Sequence, residues 1–388
     1  MDEPAFVYFP DDYRWSAAML LVLGGAASGG AELDEVHRVG QRLRGRVGDD
    51  RAWFEEWTAM ALRLEEKGRA SAAHPLTMAA FLLRAAHYYH IGERFLQPKT
   101  ADGFAAYVRG VECFRDAAKC LRRPRIEPVE IPYEGTSLPA LLVHAESDRE
   151  PPRRSPAMIF FDGFDVTKEV QYFKGAPDIA ARGIACLLVD GPGNGESVRF
   201  RNLPMHHETE RYATAAYDFL ARRPEIDPER IGVMAISLGG YFAPRAAAFE
   251  PRLACCVAWG AIWDYHATWK ERLERIARSE ETALSVPPEH LFWVLGVRTR
   301  EEALKKLEGF RLDGVVQRLR CPFLMLHGEG DAQIPLEVAQ RCFEAAGSPR
   351  KTLKIFTRQE GGYRHCQTDN PSLAIAYICD WLEDVLKA

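Results

Sequence analysis

Ile231-Gly232-Val233-Met234-Ala235-Ile236-Ser237-Leu238-Gly239-Gly240 is the stretch on which the fold turns. An apolar run leads into a serine flanked by small residues, and a helical stretch follows over 241–249. This is the small-x-Ser-x-Gly order of a nucleophile elbow, strand to sharp turn to helix. The turn holds its serine in a strained backbone conformation. The residues two positions to either side must therefore be small, or strand and helix cannot approach. Ser237 Oγ then projects above the sheet at a helix N-terminus, where the positive end of the dipole favours an oxyanion. Ala235 stands where a glycine is usual, which adds one methyl at the tightest point. A strand–turn–helix junction with an incidental serine is the competing explanation.

A nucleophilic serine needs a base, and the base an orienting acid. In this architecture the chain order is Ser, acid, His. Downstream, the strand expected over 323–326 runs into His327-Gly328-Glu329-Gly330-Asp331. A carboxylate just past the C-terminal end of a parallel strand sits where such folds collect ligands and catalysts. Asp331 is the expected acid and Glu329 the fallback; a helix-capping role is the alternative for Asp331. The next strand, over 353–356, is followed by Glu360-Gly361-Gly362-Tyr363-Arg364-His365-Cys366-Gln367. His365 is the only histidine after Asp331, so the order selects it as the base. Cys366 reads as a packing residue.

Upstream, the strand expected over 157–161 leads into Asp162-Gly163-Phe164-Asp165-Val166-Thr167-Lys168-Glu169. An oxyanion hole in this arrangement uses the amide after the nucleophile, Leu238, and one from this earlier loop. Gly163 permits an unusual backbone, and the Phe164 amide is the expected second donor. Asp165 is expected to hold a polar substrate group or move a proton, or else to cap the following helix.

Further out, apolar runs over 185–189 and 255–259 alternate with helical stretches, which predicts a mostly parallel sheet covered on both faces. Runs over 129–133 and 140–144, separated by Gly135, predict an antiparallel pair. Residues 14–122 are helical in character, with Trp53, Phe54, Trp57, Met60, Ala61 and Leu64 at helical spacing. Breaks are expected at Gly29-Gly30, His74-Pro75 and Gln97-Pro98. The texture changes at Arg122-Arg123-Pro124, so the expected division is a helical cap over 1–124 and a catalytic domain over 125–388. A helical, aromatic-rich insertion over about 260–320 forms a lid. Trp263, Tyr265, Trp269 and Trp293 of that insertion are expected to line a substrate pocket, ordinary interdomain packing being the alternative.

The 388 residues carry 50 Lys and Arg against 55 Asp and Glu, a net charge of −5, so no basic field suits nucleic acid as a partner. The nine cysteines form no C-x-x-C pair, which disfavours a disulfide framework or structural zinc and suits the reducing cytoplasm. Asp2, Glu3, Asp11 and Asp12 give the N-terminus the wrong charge for a signal peptide. The apolar run over 17–27 is too short to span a bilayer and reads as a buried helix, so no membrane partner is expected. Asp190-Gly191-Pro192-Gly193-Asn194-Gly195-Glu196-Ser197 is glycine-rich after a strand, yet Val198 replaces the third glycine of a dinucleotide fingerprint, and the segment reads as a scaffold turn. His206-His207-Glu208 fails as a zinc helix because Arg211 occupies the second histidine position. His87-Tyr88-Tyr89-His90 reads as a packed helix face.

Taken together, the D-G-P-G-x-G-E-S turn, the S-L-G-G elbow, the H-G-x-x-D loop and the G-G-x-x-H-C loop resemble the α/β-hydrolase superfamily. More narrowly, they resemble the fermentation-respiration-switch-protein-like esterases, a group that takes in 2,6-dihydroxypseudooxynicotine hydrolases and fungal polyketide-shortening hydrolases of the yellowish-green pigment type. Gly163 to Glu169 is similar to that group's G-x-acid-x-x-K-E segment, with Asp162 where glycine is common. The resemblance implies an α/β-hydrolase fold with an N-terminal helical domain and a Ser237-Asp331-His365 triad that uses no cofactor or metal. It also implies a small aromatic or polyketide-like substrate cleaved at a carbon–carbon bond beside a carbonyl, and a homodimer. A carboxylesterase or thioesterase, and a non-catalytic binding protein on the same scaffold, are the competing functions.

Overall fold

The computed structural model describes residues 6–146 and 154–387; Asp2 and Glu3 lie outside the described residues. Five helices come first: α1 (Tyr13–Gly24), α2 (Leu33–Leu43), α3 (Asp50–Ala70), α4 (Pro75–Glu93) and α5 (Ala101–Cys120). Local chemistry sets their starts. Asp12, Asp49 and Thr100 each accept an amide of the first turn of α1, α3 and α5. Pro75 opens α4, where its missing N–H costs nothing. The expected breaks fall between helices. One more, between α2 and α3, was not expected: the chain turns there through Gly48 at φ 88°. The run over 17–27 is largely α1, whose Trp15, Ala18, Met19, Leu20 and Val22 are buried. Helix α4 is buried on every side from Leu82 onward, apart from Arg84, so it is the axis of this region rather than an amphipathic wall. Among the described residues no helix is long and apolar enough to cross a membrane.

Eight strands follow among the described residues: β1 (Ile126–Tyr133), β2 (Thr136–Val143), β3 (Ser155–Phe161), β4 (Ala185–Val189), β5 (Ile226–Ile236), β6 (Cys256–Trp259), β7 (Phe323–Gly328) and β8 (Lys351–Phe356). They form one sheet in the order β1-β2-β4-β3-β5-β6-β7-β8. Strands β1 and β2 make a hairpin on the two-residue turn Glu134-Gly135, both at positive φ, whose twist matches that of the strands. Strand β2 runs antiparallel to β4, and every later pair is parallel. Strands β3, β4, β6 and β7 are almost wholly buried, as unbroken apolar runs in a helix-covered parallel sheet should be. Strand β5 begins five residues before the apolar run, because Ile226 pairs with Ser155 of β3; the register then shifts across polar Asp227, Glu229 and Arg230 and resumes at Ile231 opposite Ala157. Three helices, Tyr265–Ala277, Glu289–Leu295 and Arg300–Leu307, interrupt the alternation between β6 and β7. This is the mostly parallel, helix-flanked sheet expected of an α/β-hydrolase. Its register aligns the C-terminal ends of β3, β5, β6 and β7 in one row, with Phe161 beside Ala235, Ile236 beside Trp259 and Trp259 beside Leu326.

The glycine-rich turn after β4 is a charge-holding device. Asp190 accepts Lys168 Nζ and the Lys168 amide, both at 2.9 Å, and the Glu196 amide at 2.9 Å. A side chain at Gly195 would fall 2.0 Å from the Asp190 carboxylate, so only glycine fits. Lys168 also meets Glu169 and Glu196 at 2.7 Å. Helices α4 and α5 join this buried network: Arg115 reaches Glu196 at 3.1 Å, His90 lies 3.7 Å from Glu169, and Glu93 pairs with Arg199 and Lys99. His206 hydrogen-bonds Tyr133, and among the described residues no cluster of three or more ligating side chains could hold a metal.

Candidate active site

Ser237 follows β5 directly and has φ 62°, a left-handed conformation that a non-glycine residue adopts only under constraint. The constraint is visible. The Ser237 amide donates to Trp259 O at 2.8 Å, and its carbonyl accepts the Gly240 amide at 2.8 Å, which starts the helix Gly239–Phe249. A Cβ at Gly239 would lie 2.5 Å from the Ala235 methyl. Ala235 is thus accommodated because Gly239 faces it across the turn, and the elbow has room for one methyl but not two. Gly240 lies so close to the Gly260–Ala261 backbone that any side chain would overlap it.

The side chains of Ser237, His365 and Asp331 converge from three loops. Ser237 Oγ is 2.8 Å from His365 Nε2, and His365 Nδ1 is 2.7 Å from Asp331 Oδ2. The other Asp331 oxygen accepts the Gln333 and Ile334 amides at 2.8 and 3.1 Å. Asp331 therefore orients the ring and caps its own loop at once. Burial disfavours the Asp331 charge, but His365 and these hydrogen bonds hold its carboxyl below the ordinary value. Burial likewise opposes charge on His365, yet the facing carboxylate raises it well above an ordinary imidazole. Glu329, the fallback, is exposed and accepts the Arg358 amide instead. Cys366 packs beneath, its Sγ donating to Trp259 O at 3.5 Å, while Trp259 Nε1 donates to Gln367 at 2.6 Å. Trp259 thus ties the histidine loop to the elbow.

The loop after β3 closes against the elbow through Gly163. A Cβ there would meet Ile236 O at 2.5 Å, Ser237 Cβ at 2.8 Å and the Leu238 amide nitrogen at 3.1 Å. Phe164 follows, and its carbonyl is held by His290, whose other ring nitrogen accepts from Gln97. Burial pushes His290 down to about 3, so the ring is neutral. Phe164 and Leu238 border the same cavity as Ser237 and His365.

Asp165 does not cap the following helix, whose N-cap is Thr167. It pairs with Arg94 at the end of α4, and Arg94 also reaches Ser285 O at 3.3 Å. Burial opposes ionisation of Asp165, but Arg94 outweighs it and keeps the carboxyl below its ordinary value. A held carboxylate is a poor proton donor near neutrality. Of the four insertion aromatics, Tyr265 and Trp269 border the cavity. Trp263, in the loop before helix Tyr265–Ala277, lies under Arg341, and Trp293, on helix Glu289–Leu295, lies under Lys99 and Arg199; neither borders it.

Several bordering residues carried no sequence signal of their own. Tyr13, Leu20 and Arg94 arrive from the N-terminal helices. His87, expected on a packed face, does stack on Phe173, but it also borders the cavity. Its Nδ1–H donates to Gly30 O, which leaves Nε2 a buried acceptor without a partner. Asp162, seen only as a departure from glycine, is buried beside Ser237; its Oδ2 makes no hydrogen bond and has only the looser ion pair with Lys174 at 3.6 Å. Burial outweighs Lys174 and raises its carboxyl above the ordinary value.

The model of the FrsA-like esterases matches residues 42–386. The chain is 30% identical to the hydrolase acrC of Aspergillus aculeatus over 92% of each chain. It is 31% identical to the 2,6-dihydropseudooxynicotine hydrolase of Paenarthrobacter nicotinovorans, over 87% of this chain and 85% of that one. Among solved structures, the 2,6-dihydroxy-pseudo-oxynicotine hydrolase superposes with a TM-score of 0.77 at 27% identity, covering 94% of this chain and 95% of that chain.

Proposed function

The chain belongs to the FrsA-like esterases of the α/β-hydrolase superfamily, and on that footing we propose that it hydrolyses a carbon–carbon bond beside a carbonyl in an acyl-phenol, β-dicarbonyl or polyketide-like substrate. Ser237 is the nucleophile, His365 the base and Asp331 its orienting acid. One observation carries this reading: a serine strained to φ 62° with its Oγ 2.8 Å from an imidazole that is itself 2.7 Å from a buried carboxylate. The similarity to a hydrolase of dihydroxy-pseudo-oxynicotine supports the substrate class. The helices of 1–124 and the insertion over about 260–320 act as cap and lid for the catalytic residues of 125–388. Nine free thiols suit a cytoplasmic setting.

His365 takes the Ser237 proton as Oγ adds to the carbonyl, and the Leu238 and Phe164 amides receive the oxyanion. The intermediate then expels carbon, the electron pair passing into a second carbonyl or a ketonising phenol, and the carbanion takes the proton from His365. Water, deprotonated by His365, releases the acid from the acyl-enzyme. A carbanion leaves less readily than an alkoxide, so a second acid assists. Asp162 suits that role better than Asp165, because it borders the cavity with an oxygen that makes no hydrogen bond and burial raises its carboxyl, whereas Asp165 is held by Arg94.

The family's esterase members support a second reading, a carboxylesterase or thioesterase. Steady-state assay of an acyl-phenol and β-diketone panel beside 4-nitrophenyl and thioesters separates the two. Cleavage of the ketones is expected. Fast ester turnover with no ketone cleavage leaves the esterase, and failure of a fluorophosphonate to label Ser237 excludes both.

Gly163→Ala is expected to lower kcat about 10²-fold or more, because its methyl forces the oxyanion loop off the elbow. Overpacking costs about 1–3 kcal/mol of stability besides. Kinetics beside thermal unfolding separate the two effects. The pH profile has a definite sign. His365 acts as a base only when neutral, and its carboxylate partner raises its proton affinity. Activity is therefore expected to fall as pH is lowered, with an inflection in kcat/KM above about 6.5, the ordinary imidazole value. Asp331→Asn should move that inflection down, and an unmoved acid limb argues against this pairing.

A further inference from the structure

Ser237 and His365 are bordered by two cavities. One lies toward α1 and α4; its wall is mainly Leu20, Leu21, Val166, Val170 and Phe173, and its two cations, Arg94 and Lys174, are each paired with a carboxylate, Asp165 and Asp162. The other lies under the insertion and contains Arg272. Helix Tyr265–Ala277 puts Tyr265, Trp269 and Arg272 on one face, at spacings of four and three residues. Arg272 Nη2 donates to Gln333 O at 2.9 Å, and the guanidinium stands 5.4 Å from the Trp269 ring centroid. Among the described residues no carboxylate lies within ion-pair distance of it. Other arginines set into the structure differ: Arg94, Arg199 and Arg245 are matched to Asp165, Glu93 and Glu210. Asp331 acts on Arg272 only at longer range, since its oxygens are taken by His365 and two amides. Burial pulls the affinity of Arg272 for its proton down even with Tyr265 and Asp331 opposing, yet an arginine remains charged at neutral pH.

A cation held in an aromatic-walled cavity beside a nucleophile, without a counter-charge, is incomplete. We propose that Arg272 is a substrate-binding residue that takes a carboxylate, so that the substrate carries an apolar group toward α1 and α4 and an anionic carboxylate under the insertion, with its reacting carbonyl over Ser237. This deepens the hydrolase reading and rests on it for the role of Ser237. The planar guanidinium, with one edge spent on Gln333, keeps donors for a carboxylate.

Equilibrium titration of 4-phenylbutyrate and of 4-phenylbutyramide tests it without turnover, on the full-length protein and on Arg272→Gln and Arg272→Lys. The wild type is expected to bind the acid at least about tenfold more tightly than the amide, and added NaCl should weaken the acid selectively. Arg272→Gln should abolish the preference, and Arg272→Lys should retain part of it. Thermal unfolding shows whether each variant is folded, and the lysine variant keeps the test open if the glutamine variant is not. Equal affinity for the two probes, no binding of either, or a preference that survives Arg272→Gln overturns the proposal. Fluorophosphonate labelling of Ser237, run in parallel, fails separately if the hydrolase reading is wrong while the anion site is right.

Discussion

Ser237→Ala is expected to lower kcat by about 10⁴–10⁶-fold and to abolish fluorophosphonate labelling. The magnitude follows from the geometry. Oγ stands 2.8 Å from His365 Nε2 with Asp331 behind the ring, so removing it leaves a base with nothing to deprotonate. The remaining acceleration would come from the oxyanion amides and substrate binding alone. The fold should survive, because the amide and carbonyl of residue 237, rather than its hydroxyl, bind Trp259 and Gly240. Alanine keeps the left-handed strain of φ 62°, so the melting temperature should change little. His365→Ala should cost about as much as Ser237→Ala, and the double variant little more, since the two act as one unit. An alanine variant with parental turnover, or additive losses in the double variant, would refute the relay.

Lys168→Met should destabilise the protein by about 3–5 kcal/mol, read as a lower midpoint in chemical denaturation. Lys168 is 2% exposed and serves three carboxylates, Asp190, Glu169 and Glu196, at 2.7–2.9 Å. Methionine fills the same volume but leaves those charges facing one another out of water. Arg115 relieves only Glu196, at 3.1 Å. Burial opposes charge on Lys168, but the surrounding carboxylates raise its proton affinity well above the ordinary value, so the ammonium form is the native one. Adding Asp190→Asn to the variant should recover part of the loss, because one of the orphaned charges is removed with little change in shape. The network joins α4 and α5 to the β4 turn, so its loss should loosen the helical region from the sheet. Protease susceptibility near 122–124 would report that loosening. A midpoint within experimental error of the parent would mean that the network is paired in some other way.

Much of this molecule is written in consecutive residues. The elbow could be read because its rule is steric and local: a serine at positive φ needs small neighbours two residues away, and Ala235 and Gly239 meet it together. The order of serine, acid and histidine could be read because the first two follow buried, nearly unbroken apolar runs, while the histidine loop follows the half-buried edge strand β8, whose Leu353, Ile355 and Phe356 still mark it. The hairpin at Glu134-Gly135 and the capped helices of the first 120 residues follow from equally short-range chemistry.

What the order of residues left open depended on partners far along the chain. Asp331 and Glu329 lie two residues apart, and only the docking of the histidine loop decides that Asp331 meets His365 while Glu329 meets the Arg358 amide. Asp165 could have been a cap, an acid or a ligand; it is a paired carboxylate because α4 ends with Arg94 beside it, 71 residues earlier. Tyr265 and Trp269 reach the cavity from one face of their helix, while Trp263 in the loop before it and Trp293 on the next helix pack under Arg341, Lys99 and Arg199, a difference that composition does not carry. The fold class and the serine, acid and histidine candidates were thus determined by sequence alone, because short-range sterics and hydrophobic patterning act between near neighbours. Which charges are matched, which carboxyl is pushed toward its protonated form and which cation is left for a ligand were decided only in three dimensions, because burial and Coulomb energy depend on what folding brings alongside.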